Sequence, residues 1–150
     1  MRLNPLRAKL ASNMGTAAIE FAIVAPMIAA ALIATVETGF TIHATIQAQE
    51  AASAGALFAS QNGWNAAGIA GAVTAAVDEP GVNASPAPRE FWGCPETGGV
   101  ASANEGAICP DGSEARPYAE VGASLARRSI LPSNLGLPAV VTARSTVRLP

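Results

Sequence analysis

The chain has 150 residues, which is enough for one small domain, and half of them are apolar. Nine basic residues against eleven acidic ones give a formal net charge of −2, a balance that gives no basis for nucleic-acid binding. The chain has a single histidine, His43, and only two cysteines, which argues against a metal centre built from several such ligands. No phosphate-binding loop or dinucleotide fingerprint occurs in the sequence. We therefore expect no enzyme, no metal and no cofactor, with His43 on a helix surface.

The first 15 residues are predicted to form a short polar and basic leader. Arg2, Arg7 and Lys9 lie in this stretch, and no acidic residue occurs before Glu20. Basic residues beside a membrane segment tend to stay in the cytoplasm. The sequence therefore predicts a cytoplasmic amino terminus and an extracytoplasmic carboxyl-terminal domain.

The longest predicted element is one helix over residues 16–60. Residues 17–36 carry a single charge, and a helix of about 20 residues covers roughly 30 Å, the thickness of a hydrocarbon core. We expect this half to span a membrane, with Pro26 inside it, and the second half to extend outside. Turn-forming residues at 61–63 are expected to end the helix.

Small side chains recur at intervals of three or four along the external half of this helix. Such a stripe lets two helices approach closely, so it predicts a helix-packing surface. Its members are Ala44, Ala48, Ala51, Gly55 and Ala59.

Glu20 is the one charged residue in the membrane-length segment. A carboxylate at mid-bilayer costs roughly 2.5 to 3.5 kcal/mol on insertion scales. Ionisable residues in such positions usually face a protein partner. We therefore expect Glu20 to have a binding or assembly role.

Residues 61–150 are predicted to form a small α+β domain. Residues 64–79 can form a short helix that Asn65 caps. Alternating side chains predict strands over residues 118–124 and 141–149, arranged like a hairpin. The fold class is thus α+β, with a long transmembrane helix followed by a short helix and a β-hairpin or small antiparallel sheet.

Residues 80–117 hold six of the eleven prolines and many glycines, so the sequence predicts a loop region there. Cys94 and Cys109 both lie in it. A pair of cysteines in an extracytoplasmic segment favours a disulfide over a metal site or a nucleophile. We expect this bridge to close the loop and stabilise a domain with a thin core.

The sequence of residues 15–26, Gly-Thr-Ala-Ala-Ile-Glu-Phe-Ala-Ile-Val-Ala-Pro, followed by Glu37-Thr-Gly39-Phe40, resembles the TadE-like minor pseudopilins. These are membrane proteins of bacterial tight-adherence (Flp) pilus systems. The alanine-rich stretch at residues 47–56 and the strand-like end at residues 140–148 are also similar to the family. The strong part of the resemblance covers roughly residues 15 to 60.

The resemblance implies a set of roles for single residues. A prepilin peptidase would cut after Gly15 and free Thr16 as the new amino terminus. Glu20 would then be the fifth residue of the mature chain, followed by the aromatic Phe21, and would neutralise the free amine of an adjacent subunit. The helix-packing residues in the assembly would be Pro26, Ala44, Ala48 and Gly55.

The same resemblance implies the partners and the location. The partners would be the prepilin peptidase, other minor and major pilins, the inner-membrane pilus assembly platform and membrane lipid, without nucleic acid. The protein would lie in the bacterial inner membrane, at the base of the pilus or in the fibre. The residues do not separate a TadE-like from a TadF-like protein.

Two other interpretations remain open from the residues alone. One is a single-span membrane protein with a small extracytoplasmic interaction domain and no pilus role. The other is a secreted protein with an ordinary signal peptide cut near residues 29–34, which Glu20 in the apolar region disfavours. The three interpretations predict different mature amino termini. The plain single-span protein would start at Met1, the pseudopilin at Thr16, and the secreted protein at a residue in the thirties.

Overall fold

The computed structural model describes residues 5–132 and 138–150, with side chains from residue 15 onward in these ranges. The chain divides into an amino-terminal unit, Met1–Gly39, and a carboxyl-terminal unit, Phe40–Pro150. The elements in the described ranges are α1 (Pro5–Asn62), α2 (Ala66–Ala75), β1 (Arg89–Glu96), β2 (Gly99–Ala103), β3 (Arg116–Ala126) and β4 (Val140–Arg148). The predicted α+β class, with a long apolar helix, a short helix and a small antiparallel sheet, is confirmed.

The first helix starts earlier than the sequence suggested. α1 begins at Pro5, so the predicted start at residue 16 is wrong. Proline is tolerated in a first helical turn because the amide that it lacks would have no intrahelical acceptor there. Residues 1–4 of the predicted leader lie outside the described residues, as do the side chains of residues 5–14.

The end of α1 follows the prediction from its turn-forming residues. α1 ends at Asn62, and the next residue, Gly63, has a positive φ of 74°. The Gly63 amide donates a hydrogen bond of 2.9 Å to the Ala59 carbonyl. This left-handed glycine satisfies a free carbonyl of the last turn and ends the helix.

The second helix is capped as predicted but is shorter. The Asn65 side chain accepts a hydrogen bond of 2.9 Å from the Gly68 amide, which is the N-cap contact. α2 ends at Ala75, before the predicted end at residue 79.

The sheet has the strand order β2-β1-β3-β4, and every neighbouring pair is antiparallel. The predicted pairing of the last two strands is confirmed, since β3 pairs with β4 from Tyr118 opposite Arg148 to Ala126 opposite Val140. The prediction of a loop over residues 80–117 is wrong in part, because β1 and β2 form a hairpin there. Gly98, with a φ of 101°, lies in its turn.

The core of the carboxyl-terminal unit lies between the sheet, α2 and the second half of α1. The buried side chains that α1 contributes are alanines, with its half-buried Phe58 packed against them, and the larger fully buried side chains come from α2 and β3. The largest fully buried side chains are Ile69, Leu125, Val73 and Val121.

Gly55 marks the closest approach of α1 to its neighbours. A β-carbon built on Gly55 would lie 2.6 Å from Val73 Cγ2 of α2 and 2.8 Å from Val121 Cγ1 of β3. Only glycine fits there without displacing a branched side chain. The predicted stripe of small residues thus lies in this core.

The segment before β1 covers part of the side of the sheet that faces away from the helices. Asn83 and Ser124 exchange two backbone hydrogen bonds of 2.9 Å. Pro86 crosses Gly122 so closely that a β-carbon there would lie 2.7 Å from the Pro86 nitrogen.

Candidate functional site

The amino-terminal unit exposes a continuous set of large apolar side chains along α1. Exposing them to water is unfavourable by an amount on the order of 1.5 to 3 kcal/mol each, relative to burial. By length and composition α1 is able to cross a membrane, and its described membrane-length part starts at Gly15. The exposed side chains include Ile19, Phe21, Ile23, Met27, Ile28 and Leu32.

Glu20 lies in this apolar surface. Its side chain is exposed, and within the residues whose side chains the structure describes it forms no ion pair or hydrogen bond. The neighbours on either side, Ile19 and Phe21, are 64% and 71% exposed. The structure therefore leaves this carboxylate free for a partner outside the described chain.

Gly15 and Thr16 lie in α1, and both are exposed. A β-carbon built on Gly15 would meet no atom within 4 Å. The part of the chain whose side chains the structure describes therefore gives no reason for a glycine at position 15. A requirement for glycine would have to come from another molecule.

The other predicted packing residues fall in two different environments. Pro26 lies inside α1 in the amino-terminal unit and is exposed. Ala44, Ala48 and Gly55 are buried in the carboxyl-terminal unit, where Gly55 faces α2 and β3. His43 lies on the α1 surface and is exposed.

The end of the sheet near the cysteines forms a second feature. Cys94 and Cys109 are joined by a disulfide with their Cα atoms 5.4 Å apart. They pack with Ala115 and the half-buried Trp92 in a small cluster of their own. The disulfide thus attaches the loop after β2 to strand β1.

A shallow groove lies beside this disulfide. Asp111 lines this groove and accepts hydrogen bonds from Ser113 Oγ at 2.7 Å and from the Ser113 amide at 2.9 Å. These two hydrogen bonds lower the pKa of the exposed Asp111 carboxyl. Across the described residues, no group of three His, Cys, Asp or Glu side chains could hold a metal ion. The groove is lined by Pro95, Glu96, Thr97, Pro110 and Asp111.

Strand alternation creates a charged surface that the sequence did not reveal. The residues of β3 that face the helices include Val121 and Ala123, so Tyr118 and Glu120 point to the other side, and the register brings charged residues of β1 and β4 beside them. We call this side the outer face. Its charged residues are Arg89, Arg116, Glu120, Arg144 and Arg148.

Contacts on the outer face hold some of these groups in place. Glu120 pairs with Arg89 and, through Oε1 at 3.2 Å, with Arg144 Nη1. The Arg89 guanidinium lies 5.1 Å from the centre of the Phe91 ring, which stacks on Tyr118 at a centroid distance of 5.9 Å. Both arginine side chains stay more than 60% exposed.

Comparison with known proteins identifies the amino-terminal part of the chain. Residues 15–57 match the family model described as TadE-like protein. This part of the chain is TadE-like, and it holds Gly15, Thr16 and Glu20. The match covers fewer than a third of the 150 residues and leaves the sheet outside it. Searches of curated proteins and of solved structures found no match.

Proposed function

We propose that this chain, whose residues 15–57 are TadE-like, is a non-enzymatic minor pilin of a tight-adherence pilus system. In this proposal α1 anchors it in the inner membrane with its amino terminus in the cytoplasm, and the sheet domain lies outside. Its neighbours are other pilins and the assembly platform. The observation that carries the proposal is the family match, which begins at the glycine that precedes the apolar segment.

The proposed maturation step is cleavage after Gly15 by a prepilin peptidase. It is supported by the exposure of Gly15 and by the open space around it, since among the described residues neither packing nor backbone conformation requires a glycine there. Cleavage breaks the peptide bond between Gly15 and Thr16 by addition of water. It leaves a carboxyl group on Gly15 and a free α-amino group on Thr16.

The new amino group explains why a carboxylate sits in the apolar segment. An α-amino group has a pKa near 8 and is cationic at neutral pH. In hydrocarbon that ammonium and Glu20 of an adjacent subunit would each be an unpaired ion without the other. Removing one partner of a buried pair costs roughly 3 to 5 kcal/mol, which is enough to select subunits in the correct register.

The first test is the amino-terminal sequence of the protein isolated from its host membrane, with and without the prepilin peptidase. The proposal expects Thr16 in the first strain and an uncut chain in the second. Gly15→Ala keeps a small residue and should still be cut, whereas Gly15→Leu should block the cut. An unprocessed Met1 start in both strains would contradict the maturation step and favour a plain single-span membrane protein.

The role of Glu20 is tested separately. Glu20→Gln removes the charge and should leave membrane insertion intact while it abolishes or strongly reduces piliation. Glu50→Gln is the matched control, because Glu50 is an exposed α1 residue of the carboxyl-terminal unit and has no ion pair among the described residues. Normal pili in the Glu20→Gln strain would remove the charge-pairing role.

A further inference from the structure

We propose that the outer face of the sheet binds the acidic disulfide end of a second copy of this chain. The acidic end comprises Glu96 at the end of β1, Glu105 in the loop that the disulfide closes, and Asp111 and Glu114 between Cys109 and β3. The inference concerns the sheet domain alone. It depends on neither the membrane topology nor the pilus role.

The first argument is the separation of charge within the carboxyl-terminal unit. This unit has six arginines and nine carboxylates, so it is acidic as a whole. Strand alternation nevertheless places four of the arginines on the outer face, where Glu120 is the one carboxylate among the described strands. The outer face is therefore a basic surface on an acidic domain.

The second argument is that all four arginines are exposed and that Glu120 orients two of them. Glu120 is shared between Arg89 and Arg144, so this trio keeps a net positive charge while both guanidinium groups remain exposed. Arg116 and Arg148 are exposed and, among the described residues, form no ion pair. Guanidinium groups that are already oriented lose little freedom when they bind carboxylates in pairs.

The third argument is that the chain carries a complementary surface. Residues 90–115 contain five acidic residues and no lysine or arginine. The four carboxylates of the acidic end are exposed, and none has an ion pair within the described part of the chain. Ile108, which is 68% exposed beside Cys109, adds apolar area to the same surface. One copy thus offers carboxylates where another offers arginines.

The consequence is a contact between unlike surfaces. Complementary charge mainly sets specificity and the rate of encounter, and it is screened by salt. The contact should therefore be strong at low ionic strength and weak at high ionic strength. Association through the apolar part of α1 would not respond to salt in this way.

The experiment measures the mass of the full-length chain in a neutral detergent by light scattering over a range of concentrations. The Debye length falls from about 10 Å at 0.1 M salt to about 3 Å at 1 M. We expect the apparent dissociation constant to rise by about tenfold or more over that range. A mass that does not depend on salt would overturn the proposal.

Charge-reversal variants locate the contact. R116E/R148E should lose the salt-dependent association, whereas R116K/R148K keeps the charge and should retain it. E105R/E114R should also lose it. Mixing R116E/R148E with E105R/E114R should restore the association, because each variant keeps the surface that matches the other. Circular dichroism and an intact disulfide confirm that the variants fold, and failure of the mixture to associate overturns the proposal.

A last measurement separates protein from lipid as the occupant. Single copies in nanodiscs are treated with an arginine-modifying reagent, in neutral and in anionic lipid. Equal modification of Arg116 and Arg148 in both lipids supports the proposal. Protection that requires anionic lipid would assign the outer face to lipid head groups instead and overturn it.

Discussion

Gly55 offers a sharp test of how closely α1 packs on the rest of the domain. Gly55→Ala adds one methyl group that would lie 2.6 Å from Val73 Cγ2 and 2.8 Å from Val121 Cγ1. Both neighbours are fully buried and β-branched, so neither can swing away. The substitution must therefore move α2 or β3, or distort α1.

The magnitude follows from two opposing terms. Overpacking a well-packed core typically costs about 1 to 3 kcal/mol. Replacing a helical glycine by alanine returns about 1 kcal/mol through helix propensity. We therefore expect Gly55→Ala to lower the free energy of unfolding by about 0 to 2 kcal/mol.

Gly71→Ala in α2 is the matched control. A β-carbon there would meet nothing within 4 Å, so only the propensity term applies and the domain should become more stable by up to about 1 kcal/mol. The two variants should thus differ by about 1 to 3 kcal/mol. Urea unfolding of the full chain in detergent measures this through the fluorescence of Trp64 and Trp92. A Gly55→Ala protein as stable as Gly71→Ala would refute the close packing at Gly55.

Three further outcomes are expected of the same domain. Gly122→Ala should destabilise it by about 1 to 3 kcal/mol, because the new methyl group would meet the backbone of Pro86. Faster proteolysis of the displaced segment would report this, and a variant as resistant to the protease as the wild type would contradict it. Reducing the disulfide, which closes a loop with a sequence separation of 15, should cost on the order of 3 kcal/mol, and an unchanged urea midpoint would contradict this. Asp111 should titrate by NMR below the ordinary aspartate pKa, and Ser113→Ala should return it toward that value. Because the folded pKa is lowered, this contribution to stability is present above the unfolded pKa, near 4, and is lost as the pH falls through the folded one.

Local signals in the sequence predicted the elements that have clear capping or turn residues, or a clear periodicity. The alternation in β4, the Asn65 cap and the glycine after Asn62 each predict a local structure from a few neighbouring residues. The β1–β2 hairpin was missed because its first strand is interrupted by Gly93 and Pro95, which weaken strand propensity. The Thr97-Gly98 turn between them was the available signal.

The outer face could not be predicted because it depends on strand register. Its four arginines lie in β1, β3 and β4, up to 59 residues apart between Arg89 and Arg148, and a shift of one residue would send a strand's charges to the other side. The apolar segment and Glu20, by contrast, were visible in the sequence. A membrane-length run needs no tertiary information to be recognised.

The alanine-built contact of α1 has a consequence for how the domain orders itself. Alanine has no side-chain rotamers to fix, so the buried alanines of α1 lose no side-chain entropy when they dock on the core, and Phe58 is the α1 side chain packed there that does lose some. Ala48, Ala51, Ala52 and Ala59 are fully buried and fit as soon as the helix backbone reaches the right distance. Recognition between helix and sheet is therefore a matter of backbone shape, and the solvent-facing side of α1 is free to diverge in sequence without disturbing it.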